Sequence, residues 1–329
     1  MKKILITGAN GFIGSTLVDQ ALSLGWHVTA AIRKSSDLSL LKGLDIEFAE
    51  LDYANRSSLE KVFKELPAFD FIIHNAGTTK AKDQAAYDKV NLNYTQNLID
   101  SLIATNKVPA KFLFVSSLAA IGPTTCGKSI DDDTVPAPVS YYGKSKLKAE
   151  NYIRSLNNFP WIIVRPTGVF GPRDKDIFIF IQMINKGLEM YIGRKGQDLS
   201  FICSVDLADL MLNILNKSAI HETYFGYDFN KYRSTDLGNA AKSALHKKSI
   251  QIKIPISIVT FMAIISEKIG QLKQKTPALN YDKVNELKAE SWMCSSDKAR
   301  LNLGWKPKYD LYSGMKYTVD WYKSNNWLK

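Results

Sequence analysis

The chain has 329 residues, of which 45% are hydrophobic and 23% charged, a composition typical of a folded globular protein. Its three cysteines, Cys126, Cys203 and Cys294, form no CxxC pair and no cluster with histidine. Neither a disulfide framework nor a metal site is therefore predicted, and a reducing, cytoplasmic location is expected.

The formal net charge is +11. Such a charge attracts nucleic acid or an anionic membrane surface. Because the lysines are dispersed and no nucleic-acid motif is present, we interpret it as a solvated surface with a site for phosphate-bearing ligands.

The first 165 residues alternate short apolar runs with segments of helical spacing. The strand-like runs are residues 3–6, 27–32, 46–51, 71–74, 112–116 and 161–164, and the helical segments include 12–24, 58–66 and 87–104. Strands that alternate with helices predict an α/β fold of the Rossmann type, a doubly wound parallel sheet with helices on both faces. Ligands of such sheets bind beyond the carboxyl ends of the strands, so we expect the functional residues there.

After about residue 166 this alternation weakens and glycines mark irregular connections. We therefore predict a dinucleotide-binding domain over residues 1–165 and a smaller substrate-binding lobe over 166–329, with a helix at 205–215. The longest apolar stretch, residues 254–265, is too short for a transmembrane helix, which needs about 20 residues. Its simplest interpretation is a core helix. The alternatives are a roof over an apolar substrate and a segment that rests on a membrane.

A glycine-rich loop follows the first predicted strand and opens the first predicted helix. Gly8 permits a tight turn, Gly11 lets the backbone approach a pyrophosphate, and Gly14 allows the helix to pack closely on the strand. The N-terminus of the helix then offers free N–H groups and its positive dipole end to phosphates. The loop therefore predicts a dinucleotide cofactor, and its other members are assigned to the same site: Asn10, Phe12 and Ile13.

The ends of the second and third predicted strands bear on the choice between NAD and NADP. A sheet that binds NAD usually carries an acidic residue about 20 positions after the glycine loop. This chain has Arg33 and Lys34 there, with Arg33 nineteen residues after Gly14. Two cations suit the 2′-phosphate of NADP, so we predict NADP rather than NAD, unless both are merely solvated. Asp52, after the third predicted strand, is placed to accept a hydrogen bond from the adenine amino group; the alternative is a plain turn residue. Tyr53 is assigned to the same cofactor site.

A candidate catalytic group lies further along the chain. Tyr142 and Lys146 stand four residues apart at the start of a predicted helix, which places both side chains on one face. A lysine ammonium stabilises a phenolate and lowers the tyrosine pKa from about 10, so Tyr142 is the predicted acid/base. Lys146 is also able to hold the ribose of the cofactor. Ser117 follows the predicted strand 112–116 and is the candidate to bond the substrate oxygen, although strand-end serines are usually turn formers.

In combination, these segments resemble the extended short-chain dehydrogenase/reductases of the NAD-dependent epimerase/dehydratase family. Two of the matching segments are residues 6–14 and 142–146. The others are His74-Asn75-Ala76-Gly77, Val90-Asn91, Val115-Ser116-Ser117, Arg165-Pro166, Gly171-Pro172, Val205-Asp206-Leu207-Ala208 and Leu303-Gly304-Trp305-Lys306-Pro307. The resemblance implies a homodimer through the helices 87–104 and 142–156. It also implies roles for further residues: a position behind the catalytic group for Asn91, cofactor contacts for Ala76, Gly77 and Thr78, and nicotinamide contacts for Pro166, Thr167, Gly168 and Val169.

Departures from the family pattern bear on the substrate. Nucleotide-sugar 4,6-dehydratases of this family have Thr-Asp-Glu where this chain has Ser117-Leu118-Ala119, so the carboxylates for water elimination are missing. Nucleotide-sugar epimerases have Asn at the position of Gly168 and Arg at that of Leu199, and both hold the nucleotide diphosphate. The segment 165–168 is more similar to the dihydroflavonol-reductase and hydroxysteroid-dehydrogenase branches.

We therefore predict an NADP-dependent oxidoreductase that transfers hydride at a carbinol or carbonyl carbon of a small molecule. The alternatives are a nucleotide-sugar epimerase and a non-catalytic NADP-binding regulator. Intact Ser117, Tyr142 and Lys146 count against the regulator, because a sensor needs no acid/base group.

Overall fold

The computed structural model describes residues 1–192, 196–272 and 281–328. Its strands are β1 (Lys3–Thr7), β2 (His27–Ile32), β3 (Glu47–Glu50), β4 (Phe71–His74), β5 (Lys111–Val115), β6 (Trp161–Pro166), β7 (Gly168–Phe170), β8 (Leu188–Ile192), β9 (Asp198–Leu199), β10 (Phe201–Cys203), β11 (Glu222–Gly226), β12 (Tyr232–Arg233), β13 (Ile250–Ile254) and β14 (Ser291–Trp292). Its helices are α1 (Phe12–Ser23), α2 (Arg56–Glu65), α3 (Gln84–Asp88), α4 (Tyr94–Ala104), α5 (Tyr141–Arg154), α6 (Lys175–Asn185), α7 (Ser204–Lys217), α8 (Ser234–Leu245), α9 (Ile256–Leu272), α10 (Tyr281–Lys288), α11 (Lys298–Leu303) and α12 (Leu311–Ser324).

Within the described ranges, seven strands form one sheet in the order β11-β6-β5-β4-β1-β2-β3. Every neighbouring pair is parallel, so the carboxyl ends of all the strands lie at one edge. The chain moves outward from β1 to β3 and then returns to β4 on the other side of β1. This reversal is the switch point at which doubly wound sheets bind ligands. The predicted Rossmann-type fold is confirmed.

Helices cover both faces of this sheet. Leu17 of α1 and Met211 of α7 join Ile4 in a cluster on one face, whereas Leu98 of α4 joins Leu5 in a cluster on the other. Successive residues of a strand point to opposite faces, which explains why the central strands β1, β4 and β5 are largely apolar rather than alternating. These central strands are buried on both sides and support the loops at the carboxyl edge, whereas the edge strand β3 is mostly exposed.

The helix predicted over residues 87–104 is interrupted by a wider turn. The chain forms α3, then a π-helical turn at Lys89–Asn93, and then α4. In a π-helical turn the backbone hydrogen bonds join residues five apart instead of four. Such turns are frequent at functional sites. In this protein the turn carries Asn91, whose side chain is buried. The other predicted elements of the first half agree with the observed ones to within about two residues, a normal uncertainty for element ends.

The residues after β6 build a smaller region around α6, α8 and α12, with Phe170, Ile181 and Tyr322 in its core. One strand of this half, β11, returns to the central sheet and pairs with β6. The predicted helix 205–215 is observed as α7. The division of the chain at residue 165 stays a prediction.

The apolar stretch 254–265 covers the end of β13 and the first turns of α9, and the core-helix interpretation is wrong. Val259 and Ala263 are buried in a small cluster with Val284 of α10. Phe261 and Met262, by contrast, are 65% and 52% exposed. The helix thus buries one side only. In the part of the chain that the structure describes, no helix combines the length and apolar character that crossing a membrane requires.

Candidate active site

The glycine loop joins β1 to α1 in a turn that accepts little besides glycine. Gly8 has a φ of +65°, and the N–H of Gly11 donates to its carbonyl oxygen at 3.0 Å. A Cβ at Gly14 would lie 2.0 Å from that same oxygen, and a Cβ at Gly8 would lie 3.0 Å from the amide nitrogen of Ala76. No side chain caps the N-terminus of α1, and its first turn has no acidic residue. The exposed amide groups suit the pyrophosphate of a dinucleotide.

A buried network joins the end of β4 to this loop. The Thr7 hydroxyl accepts from the Ala76 N–H at 2.9 Å and bonds Nδ1 of His74 at 2.8 Å. Nε2 of the same ring bonds the Thr95 hydroxyl at 2.9 Å. Burial lowers the pKa of His74 to about 3, and the charge of Lys146 acts in the same direction. The imidazole is therefore neutral at physiological pH, and its role is to hold the loop after β4.

The two cations predicted to select NADP lie exposed directly after β2. The Arg33 N–H donates to the Ser36 hydroxyl at 2.9 Å, which closes the turn. Neither Arg33 nor Lys34 takes part in an ion pair with another described residue. The arginine charge is therefore available to a ligand at this end of the sheet.

The neighbouring predicted residues after β3 differ in their surroundings. Asp52 is exposed, and its Oδ1 accepts from the Ala54 N–H at 3.1 Å, so it does form a turn. Tyr53 is buried with its ring centre 6.3 Å from that of His74. Burial raises the pKa of the Tyr53 hydroxyl, while the Thr7 hydroxyl and the charge of Arg33 act in the opposite direction. In the glycine loop, the side chain of Asn10 donates to the carbonyl oxygen of Asp37 at 3.2 Å, which joins that loop to the turn after β2.

The candidate catalytic residues converge where α5 meets the turn after β5. Ser117 precedes a 3-10 turn at Leu118–Ala120 and its Oγ accepts from the Ala119 N–H at 3.1 Å. A Cβ at Gly143 would lie only 2.2 Å from the carbonyl oxygen of Ala119. Glycine at this position therefore allows α5 to approach the turn closely. This packing brings Tyr142 near Ser117, whose hydroxyl acts to lower the pKa of Tyr142.

Lys146 lies one helical turn deeper and is 5% exposed. Its Nζ donates to the carbonyl oxygen of Val115 at 2.8 Å and lies 4.7 Å from the centre of the Phe114 ring. A Cβ at Gly77 would lie 3.3 Å from the same nitrogen. Burial lowers the pKa of Lys146 to about 8, while the charge of Glu150 acts to raise it. The ammonium group thus faces the loop after β4, on the cofactor side of the site.

The tyrosine pKa runs against the expectation from sequence. Burial raises the pKa of Tyr142 to about 12; the Ser117 hydroxyl acts to lower it, and the charges of Glu286 and Tyr87 act to raise it further. Lys146 is not among the groups that lower this pKa, and burial outweighs the effect of Ser117. In this structure Tyr142 is a protonated hydroxyl at neutral pH, which makes it a proton donor.

Asn91 bonds three groups around the same site. Its Oδ1 accepts from the Thr78 N–H at 2.8 Å, and its Nδ2 donates to the Thr78 carbonyl oxygen at 3.0 Å. The same Nδ2 donates to the Ser145 hydroxyl of α5 at 2.9 Å. The amide therefore links the loop 75–78 to the helix that carries Tyr142. The role that the family resemblance implied for Asn91 stays a prediction.

Two acidic residues that the sequence reasoning missed hold the start of α5. The Tyr141 N–H donates to Oδ1 of Asp282 at 2.6 Å, and the Tyr142 N–H approaches Oδ2 at 3.5 Å. The Ser140 hydroxyl, which caps the Gly143 N–H, donates to Glu286 at 2.8 Å. Both carboxylates belong to α10, about 140 residues away in the chain. No local sequence signal connects them to this helix.

A buried ion pair fixes the other end of the catalytic helix. Oε2 of Glu150 accepts from a guanidinium nitrogen of Arg165 on β6 at 2.6 Å. The Ser116 hydroxyl donates to Oε1 of the same carboxylate at 2.5 Å. Glu150 is fully buried, so losing either partner would leave its charge uncompensated. The pair therefore sets the position of α5 on the strands β5 and β6.

The segment predicted to meet the nicotinamide continues from β6 into β7. Both the N–H and the hydroxyl of Thr167 donate to the carbonyl oxygen of Gly226 at 3.0 Å. A Cβ at Gly168 would lie 2.8 Å from the ring of Phe201, which is buried. Leu199 packs against the same apolar cluster. A side chain at position 168 would thus meet the Phe201 ring, and Leu199 faces an apolar cluster.

The family model described as "NAD dependent epimerase/dehydratase family" matches residues 4–225. The chain belongs to this family. It is thus an NAD(P)-dependent enzyme of the extended short-chain dehydrogenase/reductase type, and the predicted resemblance is confirmed. Enzymes of this family depend on a nicotinamide dinucleotide, which the open glycine loop fits.

Curated relatives cover nearly the whole chain at low identity. The chain is 24% identical to a ceramide reductase of Caulobacter vibrioides, covering 99% of this chain and 96% of that protein. It is 25% identical to a UDP-glucose 4-epimerase of Vibrio cholerae, with coverages of 97% and 94%. It is 26% identical to a decarboxylating sterol-4-alpha-carboxylate 3-dehydrogenase of Candida albicans, with coverages of 98% and 97%.

Among solved structures, the UDP-glucose 4-epimerase of Thermotoga maritima with UDP-glucose has a TM-score of 0.80 at 20% identity. The match covers 98% of this chain and 99% of that one, and it shows a common fold.

Proposed function

We propose that this enzyme is an NADP(H)-dependent oxidoreductase that exchanges hydride with a carbinol or carbonyl carbon of a small molecule. The observation that carries the proposal is the convergence of Ser117, Tyr142 and Lys146 next to Gly77 and the glycine loop. The site then combines a proton donor, Tyr142, a polarising hydroxyl, Ser117, and a buried cation, Lys146, on the proposed cofactor side of the sheet.

The direction that the site favours is reduction. The cofactor, when bound, supplies the hydride to the carbonyl carbon. Tyr142 gives its proton to the carbonyl oxygen, as its raised pKa keeps it protonated at neutral pH. Ser117 donates a hydrogen bond to the same oxygen and holds it in line with Tyr142. Lys146 would hold the ribose of the cofactor, since its ammonium group lies beside Gly77 on that side of the site.

The preference for NADP(H) rests on the end of β2. Arg33 and Lys34 are exposed and form no ion pair with another described residue, and β2 ends without a carboxylate to accept a hydrogen bond from a ribose hydroxyl. An arginine at this point binds a 2′-phosphate through charge-assisted bonds.

The substrate we favour is an apolar alcohol or ketone and not a nucleotide-sugar. An asparagine at position 168 would require Phe201 to move, and Leu199 offers no charge to a diphosphate. Two of the relatives are named for lipid substrates, a ceramide and a sterol carboxylate. A nucleotide-sugar epimerase is the second candidate, because other relatives bear that name. The homodimer through α4 and α5, the cytoplasmic location and the division at residue 165 also remain proposals.

Net consumption of NADPH separates the two candidates. We expect the purified enzyme to oxidise NADPH stoichiometrically with at least one long-chain or polycyclic ketone in a panel of carbonyl compounds. UDP-, GDP- and dTDP-sugars should be neither bound nor interconverted. Epimerisation of a nucleotide-sugar without net change in external cofactor would contradict the proposal and establish the second candidate.

A further inference from the structure

A broad apolar surface lies exposed on the C-terminal half of the protein. We name it the apolar platform and define it by eight side chains that are 40–70% exposed: Leu188, Met190, Ile250, Ile252, Ile258, Phe261, Met262 and Ile265. Single exposed apolar residues are normal on protein surfaces, whereas a contiguous group marks an interaction site.

The first part of the platform is one face of a two-stranded parallel sheet. Leu188 of β8 pairs with Ile250 of β13, and Met190 pairs with Ile252 two residues on. Residues two apart in a strand share a face, so the four side chains point the same way. On the opposite face Glu189 is fully buried and accepts from Lys242 at 2.9 Å. One face is thus anchored to the protein body, and the other is directed outward.

The second part is a stripe along α9. Ile258, Phe261, Met262 and Ile265 have the i, i+3, i+4, i+7 spacing of a single helical face. The other side of the helix is buried at Val259 in the cluster with α10. Partly buried Ile192 and Ile254, at the ends of β8 and β13, pack against the same cluster. The exposed strand face and the helical stripe are therefore continuous.

Lysines border this surface. Lys186 lies two residues before β8, Lys247 and Lys248 precede β13, and all three are exposed. Lys253 of β13 is also exposed, on the opposite face of the strand. None of these four forms an ion pair with another residue in the described ranges. Residues 247–275 contain six lysines and a single carboxylate, Glu267. The region thus combines an apolar face with uncompensated positive charge.

We propose that the apolar platform docks on the surface of an anionic lipid bilayer. Apolar side chains on an outward face enter the boundary between headgroups and acyl chains, and nearby lysines bind lipid phosphates. A second copy of the chain fits less well, because a twofold interface brings the same patch of both subunits together. Both patches would then carry the same positive charge, which opposes their association.

Docking would set the bilayer next to the catalytic helix. The same α10 that packs beneath α9 through Val284 holds the first amides of α5 through Asp282. A lipid alcohol or ketone leaving the bilayer would therefore enter the protein one helix away from Tyr142. This consequence rests on the proposed function, whereas docking itself does not require turnover.

Vesicle binding by the full chain tests the proposal. Phosphatidylcholine vesicles with roughly a third phosphatidylglycerol should bind the protein, and high salt should weaken the binding. The double variant Phe261→Ser, Met262→Ser should bind at least tenfold more weakly. The double variant Lys247→Gln, Lys248→Gln should lose about fivefold per lysine on anionic vesicles. Leu301→Ser removes a side chain that is 76% exposed on α11 and is the matched control, with unchanged binding expected.

Three outcomes would overturn the proposal. The first is no binding of the wild-type chain to anionic vesicles. The second is equal binding by wild type and by a Phe261→Ser, Met262→Ser variant whose thermal melt shows that it is folded. The third is a concentration-dependent oligomer, seen by light scattering without lipid, that this variant abolishes. That result would assign the platform to a second copy of the chain. None of these readouts uses turnover, so failure of the proposed reaction would leave vesicle binding intact.

Discussion

Replacing Asp282 by alanine tests how the catalytic helix is held. The change removes the acceptor of the Tyr141 N–H at 2.6 Å and the charge near the N-terminus of α5. Losing a helix cap of this kind costs about 1–2 kcal/mol of the free energy of unfolding. The freed first turn carries Tyr142, and a misplacement of about 1 Å is enough to lower kcat by about 10²-fold. Cofactor affinity should change little, because Lys146 lies one turn deeper and keeps its bond to Val115.

Urea denaturation, steady-state kinetics and NADPH titration measure the three quantities. Asp282→Asn keeps an oxygen acceptor and should recover most of the lost kcat. Asp310→Ala is the matched control: this residue caps α12 by accepting from the Ser313 N–H at 2.7 Å, in a different part of the protein. It should lower stability while leaving kcat within about twofold, as expected for a change away from the site. Equal kcat values for Asp282→Ala and Asp310→Ala would refute the positioning argument.

Two further predictions concern cofactor choice and acid stability. NADPH should bind at least tenfold tighter than NADH in calorimetric titration, a difference of about 1.4 kcal/mol in binding free energy. Arg33→Ala should remove most of this difference. Equal affinities of the wild type for the two cofactors would contradict the role of Arg33. His74 is neutral in the folded protein, because burial lowers its pKa to about 3, and it gains a proton on unfolding below pH 6.5. The free energy of unfolding should therefore fall with decreasing pH from about 6.5 towards 3, by at most about 1.4 kcal/mol per pH unit from this group. In urea titrations between pH 6.5 and 5, His74→Gln should show a smaller fall, and identical slopes would count against the argument.

Much of the first half follows from local sequence. The apolar runs predict β1 to β6, because a strand buried on both faces is apolar throughout. The Gly8, Gly11 and Gly14 pattern predicts the cofactor loop, because close backbone contacts leave no room for a Cβ. Ser117 is predicted at the carboxyl edge of the sheet because it follows the strand 112–116, and ligands of such sheets bind there. In each case the constraint acts over a short stretch of chain or through a regular topology.

Other features depend on long-range contacts that no local pattern records. Asp282 and Glu286 reach α5 only through the packing of α10, so their role is invisible in the sequence around them. The stretch 254–265 has a helical apolar pattern, but periodicity does not tell whether an apolar face is covered by protein. The direction of the Tyr142 pKa shift likewise depends on how deeply the folded protein buries the hydroxyl, which no local pattern records.

The most direct test of the account is the pair of variants Tyr142→Phe and Tyr141→Phe, assayed with NADPH and an accepted ketone. Tyr142 lies next to Ser117. Tyr141 is 43% exposed, with the Lys144 ammonium 5.8 Å from its ring centre. Tyr142→Phe should lower turnover by about 10²–10⁴-fold with little change in NADPH affinity, the usual scale for losing a general acid. Tyr141→Phe should stay within a few-fold of wild type. Near-normal turnover by Tyr142→Phe would contradict the proposed active site.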